Sequence, residues 1–464
     1  MRNLLKNSLK LFTLSLCLIF YKTMMAQEQF SGLLNSPRVS LLQGLNNPAE
    51  LVNLDRKNEI TTGNFSIQVS NNKISSKDLF SNTDLESKLF SSDGDINMNV
   101  STQFTSIGYG LKWRRFGVSL SANTYGQFVL ENVNPLLGDA LMNNGGNFIN
   151  MMPMTIQSDK LQKMDMILYT DVALGFGTKL LNTENHKVNL GVNAKILFPK
   201  AFVNVGINNL NASLTEVNQG INAFTATGDI NIAYSSDALI DVSTLNPFSN
   251  ISLANLKGVS LGFGFNYQFY RDKDLDSSKN NNYLINLGVS YQQSGKTKFE
   301  SNKTRAHNYN LNITPNALNP DGLNLNQIGS IANPDDIFNL LETNDFITTG
   351  NTTNSVEVEL PSRLNLYADI KLLKVLYTSV YWQKNLNESE NNIISSPDFL
   401  TITPRLVVGK FEFFTPITKN STAQTSIGSG IKWGLFYLSS GSGLSMAFGN
   451  SKRADFCIGF SKGF

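Results

Sequence analysis

The chain has 464 residues, a formal net charge of +2 and only 16% charged residues, well below the roughly 25% of an average soluble domain. Lys and Arg nearly balance Asp and Glu, so there is no electrostatic footprint for nucleic acid or a polyanion. Asn, Ser, Thr, Gly and aromatic residues fill the gap, a mix that favours strands and polar loops over helices. Cys17 and Cys457 are the only cysteines and His186 and His307 the only histidines. Neither a disulfide framework nor a metal site at ligand spacing follows from them, and no cofactor is expected.

Residues 1–26 carry a basic start (Arg2, Lys6, Lys10), an apolar run from Leu11 to Tyr21 and Met24-Met25-Ala26 before Gln27. That is the layout of a secretory signal peptide with Ala26 as the last residue removed, and the apolar run is too short for a spanning helix. No later run of 18 apolar residues follows, so a membrane location requires a closed barrel.

Residues 27–57 lack strand-like alternation but contain Asn47-Pro48-Ala49-Glu50-Leu51. Pro at the first helical position after Asn predicts a short helix capped by Asn47. The segment is expected either as an exposed tail or as a plug in a barrel lumen.

From Lys57 onward apolar and small polar residues alternate. In Val259 to Phe269, the residues Val259, Leu261, Phe263, Phe265, Tyr267 and Phe269 share one face, opposed by Ser260, Gly262, Gly264, Asn266 and Gln268. Phe116 to Leu130, Met166 to Leu180, Val188 to Phe198 and Tyr283 to Tyr291 repeat the pattern. Strands of about nine or more residues suit a tilted membrane crossing, whereas soluble strands run about five or six. Tight turns at 113–115, 181–187, 372–373, 409–410 and 433–434 alternate with long polar loops near 71–97, 131–165, 199–256, 295–360, 385–397 and 441–453. Short turns on one side and long loops on the other are the asymmetry of outer-membrane barrels. The pieces Phe202 to Asn208 and Phe224 to Tyr234 read as an extracellular hairpin inside the third long loop, and Asn333-Pro334-Asp335-Asp336 as a helix start in the fourth. The count is about 14 strands, with bounds of about 12 to 16.

The closing stretch Ala454 to Phe464 places Phe456, Ile458, Phe460 and Phe464 on one face and Cys457, Gly459, Ser461 and Gly463 on the other. An amphipathic last strand ending in Phe resembles the signal read by the barrel-assembly machinery, with Lys462 where an apolar residue is usual. Trp113, Trp382 and Trp433 fall near strand ends, as an interfacial aromatic girdle requires.

Asp272, Asp274 and Asp276 open like a calcium loop, but Ser277 and Tyr283 replace its Gly and Glu, leaving a solvated turn. No nucleophile, base and carboxylate set gathers around either histidine, so an enzyme is not expected.

These features resemble FadL-like and PorV-like outer-membrane barrels of the Bacteroidota. The residues that carry the likeness are Ala26-Gln27, Asn47-Pro48-Ala49, the strand series and Gly430-Ile431-Lys432-Trp433-Gly434. It implies an all-β, transmembrane antiparallel barrel over 58–464 with a helical plug at 27–57. FadL-like relatives imply passage of small hydrophobic compounds; PorV-like ones imply a scaffold or shuttle working with secretion components. The inward residues of the clearest strands are Gly, Ser, Asn and Gln with few charges, which suits a plugged lumen or a neutral path better than an ion pore. A secreted β-rich adhesin is the remaining rival.

Overall fold

The computed structural model describes residues 30–464 except 31, 35, 82, 92, 143–151, 219, 236–256, 271–282, 301–303, 331–333, 354, 387–397 and 421–424. The expected signal peptide, the Asp272–Asp276 turn and Asn333 lie outside the described residues.

Fourteen antiparallel strands among the described residues close into a barrel. Its wall runs Asn58–Asn71, Ile96–Trp113, Phe116–Val133, Gln162–Asn182, His186–Val217, Gly258–Phe269, Ile285–Glu300, Arg363–Lys371, Leu376–Asn385 and Phe399–Val408. Four staves follow: Phe411–Phe414 with Ile417–Asn420, Ser426–Ile427 with Ser429–Trp433, Phe436–Ser440, and Arg453–Gly463. The last strand pairs with the first from Arg453↔Ser70 to Gly463↔Glu59. Phe464 and Asn58 then exchange both backbone hydrogen bonds, at 2.9 and 3.2 Å. No open edge is left at the seam, which is what a sheet in hydrocarbon must achieve.

The alternation read from the sequence is the inside-outside alternation of this wall. Val259, Leu261, Phe263 and Phe265 are exposed, while Ser260, Asn266 and Gln268 are buried. Phe456 and Phe460 point out, Cys457 and Ser461 point in, and Lys462 is exposed with the outward set. An apolar exterior around a polar interior inverts the soluble pattern and is the lipid-facing surface of a transmembrane barrel. No described helix is long and apolar enough to cross a membrane. Trp113 and Trp433 end their strands beside tight turns and are 57% and 58% exposed. Trp382 differs, lying inside the strand Leu376–Asn385.

The outer side departs from plain loops. Phe202 to Asn208 does pair with the stretch ending at Tyr234 as the two arms of a hairpin, but the first arm is the outward extension of a wall stave, since His186–Val217 is one strand that crosses the wall and continues beyond it. That extension pairs with Gly220–Ser235, which pairs with Thr304–Ile313, which pairs with Ile347–Thr353; Met154–Ser158 closes the other edge. One face of this outer sheet buries Leu210, Leu214, Ile221, Ile232, Tyr234 and Tyr309 under the helix Pro334–Thr343 and its neighbours, a second hydrophobic core outside the barrel. The stretch 441–453, expected as a loop, contains the helix Gly443–Phe448.

Candidate functional site

The candidate site is the lumen, where the described residues between Phe30 and Leu54 lie against the inner wall. Pro37–Val39 and Pro48–Asn53 are 3-10 turns flanking the α-helix Ser40–Asn46. Leu33, Val39, Leu41, Leu51 and Leu54 are fully buried.

The sequence allows this contact by removing side chains from the wall. Gly117 pairs with Gly177, Gly177 with Gly191 and Gly191 with Gly264, a lateral row of glycines over four adjacent strands. A Cβ on Gly117 would lie 2.2 Å from the Leu51 carbonyl oxygen. On Gly191 it would lie 2.2 Å from the Pro48 carbonyl carbon, and on Gly177 2.6 Å from the Pro48 oxygen. The Pro48–Asn53 backbone therefore rests directly on strand backbone, which only glycine permits.

Asn47 and Glu50 fasten that turn to the wall. The Asn47 side chain accepts from the Ala49 N–H at 3.1 Å, as an N-cap does, and donates to the Phe265 carbonyl and the Tyr367 hydroxyl, both at 3.0 Å. Glu50 Oε1 accepts from Tyr367 at 2.5 Å, Asn266 at 2.7 Å and Asn286 at 3.0 Å, while Oε2 accepts from Asn53 at 2.6 Å. A carboxylate buried among this many donors is held by charge-assisted hydrogen bonds in place of water. Pro48 fixes the entry dihedral and Ala49 is buried with its N–H on the cap.

Further latches hold both flanks. Arg405 sits between Asp369 at 2.5 Å and Glu412 at 3.0 Å, and Glu412 also accepts from Ser36 at 2.9 Å and lies 3.7 Å from Arg38. Glu59 accepts from Ser40, from the Leu41 N–H and from Ser461. Lys112 donates to the Leu54 carbonyl. These inward charges correct the expectation of a lumen with few charges. Glu59, Lys112, Asp369, Arg405 and Glu412 sit on wall strands and Arg38 on the N-terminal segment, and pairing across the lumen is invisible in one dimension.

Stepping outward by two residues along the strands gives the layers of the lumen. Above the glycine row a small chamber lies between the N-terminal segment and the wall, with about 70 Å³ open to the centre of a water-sized molecule. Phe30, Leu34 and Leu42 line it on one side, and Gln103, Asn123, Asn193, Lys195, Gln292 and Arg363 on the other. Next comes an apolar layer in which Tyr125 stacks on Tyr169 at 5.0 Å and Phe202 packs on Phe299 at 4.4 Å, with Leu197, Val358 and Leu360 fully buried. Beyond it a cleft of about 890 Å³ is lined by Asn204, Asn208, Asn231, Asn308 and Asn310.

The site residues named from the sequence separate accordingly. Asn47, Pro48 and Ala49 are in the lumen, whereas Phe456, Ile458, Phe460 and Phe464 belong to the outward face of the closing strand. The described residues contain no cluster of metal-ligating side chains. Glu50, Tyr367, Lys195 and Arg363 escaped the sequence reading; only the aligned strand glycines hinted that backbone approaches there.

The profile of a family of unknown function, DUF5723, matches residues 48–441. The chain belongs to that family. No curated protein matches it. Among solved structures it is similar to the toluene transporter TbuX of Ralstonia pickettii, at 10% identity over 92% of this chain and 94% of that one, with a TM-score of 0.43. The toluene transporter TodX of P. putida is 9% identical over 91% and 94%, again at 0.43. A FadL homologue of Pseudomonas aeruginosa is 8% identical over 95% and 98%, with a TM-score of 0.22.

Proposed function

We propose that this DUF5723 protein is an outer-membrane barrel, exported by its first 26 residues, that admits small and partly hydrophobic compounds from outside the cell to a chamber closed by a plug at residues 27–57. The observation that carries this reading is the chamber itself, which lies between the N-terminal segment and the wall and combines apolar side chains such as Phe30, Leu42 and Phe399 with polar ones such as Gln103 and Asn193. A segment with structural duty alone has no need of a hollow beside it, because interiors otherwise pack to crystal density. The apolar exterior leaves the rival of a secreted adhesin without support. Deletion of residues 27–57 tests the proposal in planar bilayers: a folded barrel with raised conductance is expected, and unchanged conductance would end the plug reading.

A second reading, a scaffold or shuttle for secretion components, is favoured by one observation. The outer sheet builds a hydrophobic core of its own around Leu214, Ile232 and Phe338, more structure than a channel mouth requires. Affinity purification from intact membranes decides it: co-purifying envelope proteins lost on trimming the outer sheet would promote the scaffold. We also take Phe456, Ile458, Phe460 and Phe464 as the strand offered to the barrel-assembly machinery.

A further inference from the structure

The structure assigns an oxyanion site to the chamber: we propose that it takes a small molecule by a carboxylate or phosphate group held by Arg363, with Lys195 on the same chamber wall. This rests on reading the lumen as a small-molecule site.

The argument starts from a charge that lacks a partner. Arg363 opens its strand on the inward face, between Gln292 and Asn385 on the flanking strands, and lines the chamber. Its Nε is shut off from solvent without a hydrogen-bond acceptor, and among the described residues no carboxylate forms an ion pair with it. Arg405 in the same barrel shows what a lumenal guanidinium otherwise receives, with Asp369 and Glu412 both bound to it. Lys195 does not relieve Arg363, because it is itself a cation. Its ammonium lies 3.4 Å from Asp171 and 5.6 Å from the Tyr125 ring centre. Asp171 is also engaged by Asn123 at 2.7 Å. Asp171 thus answers Lys195 alone, and Arg363 leaves the chamber lining with an excess positive charge.

Arg363 is half-buried with its Nε shut off from solvent, and a charge so placed without a counter-ion is stabilised by an entering anion. The guanidinium fork matches the paired oxygens of a carboxylate or phosphate. Gln103 and Gln292 line the same space, the Gln292 amide making only long 3.4 Å hydrogen bonds to the Leu45 carbonyl and Asn46 Oδ1, and provide polar surroundings for the remaining oxygens. The apolar layer above, with Leu197, Phe202, Val358 and Leu360 buried, limits water and so strengthens the pairing. A chamber of about 70 Å³ holds several waters at roughly 10–15 Å³ each, enough for one oxyanion head. The rest of such a molecule would meet Phe30, Leu34 and Phe399. A neutral hydrocarbon would leave Arg363 without a counter-ion.

Calorimetric titration of the full chain in a non-ionic detergent tests this with benzoate, phenyl phosphate and benzyl alcohol. At least one anion should bind saturably and about tenfold or more tightly than benzyl alcohol, as charge-assisted hydrogen bonds require; the stronger of the two tells carboxylate from phosphate. Arg363→Gln should weaken that anion about tenfold or more while leaving benzyl alcohol unchanged, and Arg363→Lys should lie between. Lys195→Met, which leaves Asp171 uncompensated, should weaken the anion as well and serves if Arg363→Gln does not fold, folding being read from heat-modifiable gel mobility. Absence of anion binding, equal affinity for benzyl alcohol, or an anion affinity indifferent to these substitutions would overturn the proposal. Conductance after plug deletion is a separate readout, so the oxyanion site can fail while the plugged barrel stands.

Discussion

Gly191→Ala is the smallest change that separates the contribution of the plug from that of the wall. The new methyl would lie 2.2 Å from the Pro48 carbonyl carbon, 2.3 Å from the Ala49 nitrogen and 2.5 Å from the Pro48 oxygen. Ordinary contact begins near 3.4 Å, so the backbone must retreat by more than about 1 Å. No rotamer can absorb the clash, since every atom met is main chain. Gly177 and Gly264 on the paired strands leave the wall itself unobstructed, and alanine is no worse than glycine in a strand. Overpacking of this kind costs about 1–3 kcal/mol. Retreat also pulls Asn47 from Phe265 and Tyr367, and Glu50 from its donors. A double-mutant cycle isolates the effect. Unfolding in urea, followed by heat-modifiable mobility, should show a loss of about 1–3 kcal/mol in the full chain and about zero in a chain lacking residues 27–57. An equal loss in both backgrounds would mean that the wall carries the cost, and the glycine row would have no bearing on plug seating.

Three further outcomes are expected. Phe263→Arg, at an outward position 54% exposed, should destabilise the folded barrel by about 2–4 kcal/mol near the bilayer midplane, while inward Asn266→Ser should leave the lipid contact unchanged; equal lipid-composition dependence of the two in vesicle refolding would refute the register. Phe464→Ala removes an outward aromatic at the closing seam and should lower the yield of folded barrel in the membrane without changing the stability of the fraction that folds, and an unchanged yield would remove the assembly role. In the outer segment, a hydrogen bond from Lys88 at 2.5 Å, with help from Ser75, holds the Asp78 carboxyl down to about 2. Its depressed folded value means that the contact supports the helix Ser76–Leu79 above the ordinary carboxylate range and is lost as pH falls through about 2; amide protection at Ser75 should fall between about pH 4 and 2, and protection indifferent to acid would refute it.

The wall was legible because its signal is one-dimensional. Lipid on one side and small polar residues on the other impose a period of two, and Val259 to Phe269 or Phe116 to Leu130 state it without tertiary help. Tight turns were legible for the same local reason: Gly409 and Gly434 adopt positive φ values of +57°, the conformation that glycine supplies without strain. The lumen was legible only at Asn47-Pro48, where a cap and its following proline write a local structure into consecutive residues. Glu50 looked like an ordinary first-turn acid, because its donors Tyr367, Asn266 and Asn286 lie more than 200 positions away. The outer sheet failed differently. Phe202 to Asn208 has the right period, but whether a strand turns back at the membrane surface or continues past it depends on a partner, here Gly220–Ser235, that stays outside the bilayer. Alternation reports which face meets apolar surroundings and not what those surroundings are: outside the wall they are lipid, and one strand-length further along His186–Val217 they are the protein core around Leu210 and Leu214. A strand that changes solvent along its length keeps its period, so the boundary between membrane and outer sheet had to come from the pairing.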